Sequence, residues 1–311
     1  MANNLENLWV KIIDSPRFRN IAGRSAGGRV LHNPILRELN TTRWHLAARL
    51  HNRRSPDLFE DVQTYCMFIG HTKSGGSLIG ALLDAHPEVI LADEADGLRY
   101  VDEGFSREEI FYVLLRMSHR ELLKGRITAR RLEPYSFLVP GQWQGRYRTL
   151  RVIGDSKAGK STQKIGDDPT ILDRLHRVMN GTQSRFIHVI RNPFDPISIM
   201  MVRGKRSFEN ASSLYFSYCE ILSRIYDQLA RGEIFPVRYE NFVRQPDANL
   251  EEICRFLGIT GSTEYLTACS KIVRPAPDRS RDRIDWQSHW KQSVLDTAAK
   301  YDFLDGYNFE N

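Results

Sequence analysis

The chain has 311 residues, 41% hydrophobic and 26% charged, enough for one large α/β core. Its net charge of +6 favours anionic partners without choosing among nucleotides, nucleic acid and acidic membranes. The four cysteines, Cys66, Cys219, Cys254 and Cys269, are scattered with no CxxC pair, and the histidines show no HExxH spacing, which argues against a disulfide framework or a metal site. With no basic leader and no apolar run long enough to span a bilayer, a cytoplasmic, metal-free protein is expected.

Residues 1–60 are arginine-rich and broken by glycines at 23–28. Leu36, Leu39, Leu46 and Leu50 fall at helical spacing, so a basic, mainly helical extension is expected there. It would pack on the core, or serve a membrane surface or a partner. From residue 61 to 311 the pattern is that of a single domain. Apolar runs at 65–69, 89–92, 149–153, 186–190 and 235–239 read as strands. Between and after them, 78–83, 108–123, 171–179, 216–229 and 250–257 read as helices. Such alternation predicts an α/β fold of three layers, a mostly parallel sheet flanked by helices.

Two segments have the glycines of a phosphate loop. Gly154-Asp155-Ser156-Lys157-Ala158-Gly159-Lys160-Ser161 matches G-x-x-x-x-G-K-[ST] in full and, taken alone, indicates a kinase or triphosphatase using Lys160. That motif needs a helix directly behind it, and Gly166 and Pro169 are expected to break one. The later strand 186–190 also ends in Arg191 where a Walker B strand would supply aspartate. The other segment, Gly70-His71-Thr72-Lys73-Ser74-Gly75-Gly76-Ser77, fits the motif less well, with Gly76 at the lysine position and the lysine at Lys73. Yet it lies between a clear strand and a clear helix, where glycines and helix amides can cradle an oxyanion.

The second segment resembles the 5′-phosphosulfate loop of the sulfotransferases that use 3′-phosphoadenosine 5′-phosphosulfate (PAPS). The resemblance continues through Leu82-Leu83-Asp84-Ala85-His86-Pro87-Glu88-Val89. It goes on through Phe186-Ile187-His188-Val189-Ile190-Arg191-Asn192-Pro193-Phe194-Asp195, like that family's 3′-phosphate motif, and through Val237-Arg238-Tyr239-Glu240-Asn241-Phe242 to Phe256-Leu257-Gly258-Ile259. It implies a P-loop-like fold for 61–311, PAPS as donor and no metal. Lys73 would stabilise the leaving phosphate, with Ser74, Gly75, Gly76 and Ser77 cradling it; Leu78 holds the place where some members stack a tryptophan on adenine. Arg191 would take the 3′-phosphate. The family places its serine where Ile199 stands, so Ser198 is displaced by about 100° on a helix. Arg279, Ser280 and Arg281 would close that site.

A glutamate after the second strand serves as base in several branches, which points to Glu94, with Asp155 and His71 as alternatives. Asp93, Glu94, Asp96, Asp102 and Glu103 form an acidic cluster, and Asp93, Asp96 and Lys157 are expected near the acceptor pocket. The acids suggest a small acceptor, cationic through an amine or guanidinium, modified at a hydroxyl or amine as in natural-product tailoring. No nucleic-acid motif is present, and the sequence leaves the oligomeric state open.

Overall fold

A strand with no exposed position organises the molecule. All seven residues of β1, Thr64–Gly70, are buried, as expected for an apolar run covered on both faces. The computed structural model describes residues 34–93, 95–123, 125–126 and 136–311. The chain divides into two units, Met1–Arg54 and Ser55–Asn311.

In the larger unit β1 pairs in parallel with β3, Val152–Asp155, on one edge and β4, Gln183–Ile190, on the other. β2, Val89–Ala92, joins beyond β3, and β5, Ile234–Arg238, beyond β4. The sheet order is therefore β2-β3-β1-β4-β5. After β1 the chain lays β2 at the sheet edge, returns to insert β3 beside β1, then crosses to the other side for β4 and β5. That reversal opens a crevice at the carboxyl ends of β1 and β4, the usual ligand position in such sheets.

Helices cover both faces. Behind β1 come α2, Gly76–Leu83, then α3, Gly97–Asp102, and α4, Arg107–Leu123. α5, Ala158–Asp167, and α6, Ile171–Val178, follow β3. α7, Phe194–Val202, and α8, Phe208–Gln228, follow β4. α9, Tyr239–Arg244, α10, Pro246–Phe256, and α11, Thr263–Ser270, follow β5, and α12, Ser288–Ala298, comes last. Cys66 and Phe68 of β1 belong to one apolar core with Leu78, Leu82, Val237, Leu250 and Ile253. A second core gathers Ile190, Phe194, Ile197, Phe208, Tyr215 and Trp286.

Three differences from the sequence reading have physical causes. The third strand runs two to three residues later than 149–153, because its partners β1 and β2 set its register: Gly154 faces Cys66 and Asp155 faces Met67. A helix forms over Ala158–Asp167 and continues through Gly166, where a break was expected, and it stops ahead of Pro169. Its Gly166 packs against Ile221 of α8, and such contacts outweigh the weak helix propensity of glycine. In the smaller unit the helix α1, Pro34–Arg54, is present, but Trp44 and Ala48 are its buried positions while Leu46 and Leu50 are exposed. The side chains of Leu36 and Leu39, and residues 1–33, lie outside the described residues. No helix among the described residues is long and apolar enough to cross a membrane.

One buried carboxylate ties the turn after α2 to the rest. Asp84 accepts from the Leu91 amide at 2.7 Å, the Gly145 amide at 2.8 Å and the Ser118 hydroxyl at 2.7 Å, and pairs with the buried Arg126 guanidinium. Removing one member of a buried ion pair strands the other without solvent. Asp84→Ala is therefore expected to cost about 3–5 kcal/mol of stability, read from urea unfolding midpoints; a loss near zero would show that the pair is dispensable.

Candidate active site

The loop after β1 is held on three sides. The Gly70 amide donates to Thr162 Oγ1 of α5 at 2.8 Å. His71 Nε2 donates to the Tyr215 carbonyl at 2.8 Å, and its ring stacks on that tyrosine at 3.9 Å between centroids. Ser74 Oγ donates to the His71 carbonyl at 3.0 Å. Within this frame Lys73 has a φ of 72°, a left-handed conformation costly for lysine and kept where surroundings enforce it. Gly75 has a φ of 104° and lies so close to the Tyr239 ring that no side chain fits. The Lys73 side chain is exposed. Gly76 and Ser77 open α2, where the first amides have no partner inside the helix.

Arg191, at the end of β4, reaches this loop. Its Nη1 donates to the Lys73 carbonyl at 3.0 Å and its Nη2 to the Asp278 carbonyl, and the guanidinium lies over the Tyr239 ring at 5.0 Å. Its Nε is 3.6 Å from Asp195 and has no hydrogen-bond partner. Arg281 is almost wholly buried: its amide and Nη1 donate to Asp195 at 3.0 and 3.2 Å, Nη2 donates to the Asn311 carbonyl, and its Nε is likewise unpartnered. Burial pushes Asp195 up and Arg281 down from their ordinary pKa values, against their mutual attraction. Arg279 pairs with Asp282 at 2.9 Å and donates to the Glu310 carbonyl. Ser280 Oγ donates to Asp278 at 3.0 Å. The structure thus brings Lys73, Arg191, Arg279, Ser280 and Arg281 to one end of the sheet. Two buried guanidinium N–H groups without acceptors suit a site for phosphate oxygens.

Four residues predicted for the site are elsewhere or otherwise engaged. Ser198 is buried and accepts from Trp286 Nε1 at 3.2 Å, so the one-residue displacement on α7 turns it into the second core. Leu78 is part of the first core, since its position on α2 faces the sheet. His71 is held neutral: burial lowers its pKa to about 4, outweighing the carbonyl of Tyr215, which makes it a poor proton acceptor at neutral pH. Asp155 is fully buried and accepts from the amides of Ala95 at 3.2 Å, Gly97 at 2.7 Å and Lys157 at 3.1 Å, which leaves it no path to a substrate. Glu94 lies outside the described residues.

The acidic cluster is matched by cations. Asp96 pairs with Lys160 at 3.1 Å, and Asp102 with Lys164 at 2.9 Å and Arg174 at 3.2 Å. Asp93 accepts from Ser156 Oγ at 3.1 Å. These contacts also count against the competing loop. Gly154 and Asp155 belong to β3, the amides of Lys157 and Ala158 are used by Asp155 and Ser156, and Ser161 Oγ donates to the Lys157 carbonyl at 3.0 Å. α5 instead supports the first loop, with Gly159 against Thr72 and Thr162 on Gly70. No cluster of metal-ligating side chains occurs among the described residues. Sequence reasoning passed over Tyr239, which walls Gly75 and underlies Arg191, and Asp195, although Asp195 was visible as a motif residue one turn from Arg191.

A sequence model described as the sulfotransferase family matches residues 67–263, more than half of the chain. No curated protein matches it significantly. Among solved structures, the sulfotransferase domain of the olefin synthase of Synechococcus PCC 7002 is similar, with 17% identity, TM-score 0.49, and coverage of 77% of this chain and 94% of that one. The sulfotransferase domain of the curacin biosynthetic pathway shows 14% identity, TM-score 0.47, and coverage of 78% and 99%. Mouse sulfotransferase SULT7A1 complexed with PAP shows 10% identity, TM-score 0.41, and coverage of 81% and 88%.

The buried Asp155 has a pH signature. Burial raises its pKa from 3.8 to about 7, outweighing the Gly97 amide. A carboxyl whose pKa is raised on folding stabilises the fold below its unfolded pKa, and that stabilisation disappears as pH rises through the folded value. The stability advantage of wild type over Asp155→Asn should therefore shrink as pH goes from 4 to 8, read as the difference in urea midpoint; an advantage that grows would contradict it.

Proposed function

We propose that this chain, which belongs to the sulfotransferase family, uses PAPS to sulfate a hydroxyl or amine of a small metabolite in the cytoplasm. The observation that carries the reading is the bond from Arg191 to the Lys73 carbonyl, which joins the ends of β1 and β4 across 118 residues of sequence. One motif is suited to a 5′-phosphate and the other to a 3′-phosphate, and a nucleotide bearing both fits their adjacency.

PAPS, when bound, supplies a sulfo group whose transfer leaves negative charge on the 5′-phosphate. The exposed Lys73 ammonium and the first amides of α2 stabilise that charge, and the left-handed backbone at Lys73 fixes the approach of its side chain. Arg191, with Arg281 and Arg279 beside it, binds the 3′-phosphate. Glu94 is the base that takes the acceptor proton: in sequence it stands two residues after the end of β2, and ligands in such sheets bind outside the carboxyl ends of the strands. A cationic acceptor requires Asp96 to exchange Lys160 for the substrate. Lys157, beside the same turn, contributes to the acceptor side.

Calorimetric titration of adenosine 3′,5′-bisphosphate (PAP), ATP and GTP tests the donor. PAP is expected to bind, and Arg191→Ala to weaken it about tenfold or more. Lys73→Ala should lower kcat by about 10²- to 10³-fold, and Lys160→Ala should leave PAP binding intact. Preference for ATP, lost on Lys160→Ala alone, would refute the reading. PAP release from PAPS with a panel of phenols, alcohols, amines and guanidines then identifies the acceptor. Lys160→Ala should raise turnover selectively for cationic members if Asp96 receives them.

A further inference from the structure

Three segments end side by side at the carboxyl edge of the sheet, and one aromatic ring touches two of them. In the β4–β5 register Ile190 faces Arg238, so Arg191 and Tyr239 are the next residues of neighbouring chains. In the β1–β4 register Gly70 faces Val189, which brings the loop 70–77 alongside. The Arg191 guanidinium lies over the Tyr239 ring, 5.0 Å from its centroid. The same ring lies against Gly75, so close that a Cβ there would collide with it. Gly75 is the residue directly before the first turn of α2. The backbone beside the ring is fixed independently of it: Glu240 accepts from the Asn192 amide at 3.0 Å and from the Tyr307 hydroxyl at 2.7 Å. Two successive residues after β5 therefore grip two successive residues after β4. The other contacts of Arg191 act differently. Nη1 donates to the Lys73 carbonyl at 3.0 Å and Nη2 to the Asp278 carbonyl, which holds the group along its N–H directions. The ring supports it from the side of the loop. Arg191 is only 6% exposed, and a cation on an aromatic face gains more in such a position than at an open surface.

We propose that Tyr239 is a positioning residue for donor specificity. Its ring face fixes Arg191 at a set distance from the loop 70–77, and so selects a nucleotide phosphorylated at 5′ and 3′ over one whose second phosphate is at 2′. The proposal rests on the reading of this site as one for PAPS. An arginine free to swing follows a phosphate to either ribose carbon, because attraction between charges has no preferred direction. A guanidinium held in place pairs well only where its fork of N–H groups meets the phosphate oxygens. The ring face carries this role and the tyrosine hydroxyl has no part in it.

The test is calorimetric titration, at one ionic strength, of PAP, adenosine 2′,5′-bisphosphate and adenosine 5′-monophosphate. The two bisphosphates differ in geometry and not in their number of phosphates, so their affinity ratio reads the placement of Arg191. The monophosphate reads the loop alone. The proteins are wild type, Tyr239→Phe, Tyr239→Leu, Arg191→Ala and the double variant Tyr239→Leu/Arg191→Ala. Wild type should prefer PAP to its isomer by about tenfold or more. Tyr239→Leu should lose most of that preference, through a fall of about tenfold in PAP affinity, while its monophosphate affinity stays within about twofold. Tyr239→Phe should keep the preference, since it keeps the ring. The double variant should match Arg191→Ala in both bisphosphate affinities, because the ring acts through the arginine. Wild type that fails to bind PAP, or prefers ATP, overturns the PAPS reading and this proposal with it. Wild type that binds PAP without preference over the isomer overturns the positioning role alone. So does a preference kept in Tyr239→Leu, or one lost equally in Tyr239→Phe. A Tyr239→Leu protein that loses the monophosphate as much as PAP shows a ring that serves only the fold of the loop, and overturns the role too.

Discussion

A strand buried on both faces must be paired on both edges, and this constraint on β1 generates the site. Its parallel partners β3 and β4 end at the same edge of the sheet, so the segments that follow the three strands meet there. The loop after β1 carries Lys73, β4 ends at Arg191, and β3 ends at Asp155. None of these is near another in sequence. Parallel pairing leaves crossovers to be made by helices, and the amino ends of those helices face the same crevice.

Buried charge is managed the same way at three places. Asp84, Asp155 and Asp195 are each almost fully buried, and each accepts from at least one backbone amide. Asp84 and Asp195 also have arginine partners. An unpaired carboxylate in such surroundings would be protonated or expelled, so each carboxylate requires its loop to keep one path. Asp84 holds the turn after α2, Asp195 holds Arg191 and Arg281, and Asp155 holds the turn after β2. The cations on α5 have a different part: Lys160 and Lys164 are solvent-accessible and pair with Asp96 and Asp102, contacts that salt weakens.

Much of this was legible from residue order. The five strands follow from short apolar runs, and the strand–glycine–helix pattern around Gly75 gave the phosphate loop its place. Lys73 and Arg191 could be named as candidates from local motifs, and the structure brings them together through the bond from Arg191 to the Lys73 carbonyl. Other features were misread for one reason: they depend on what packs against a segment. Gly166 looks like a helix breaker until Ile221 covers it. Ser198 looks like a phosphate ligand until Trp286 claims its hydroxyl. The acids after β2 read from sequence as an unmatched cluster, and α5 brings lysines against them.

The amino-acid order therefore established the fold class and singled out a candidate phosphate loop with its lysine and the arginine after β4, since periodicity and short motifs are properties of neighbouring residues. The partnering of charges and the rejection of the better-matching loop at 154–161 came from folding. There the β-sheet register drew Gly154 and Asp155 into a strand, and the loop's amides found acceptors inside the protein. A phosphate loop is defined by amides left unpaired, and which amides stay unpaired is decided by contacts between segments distant in sequence.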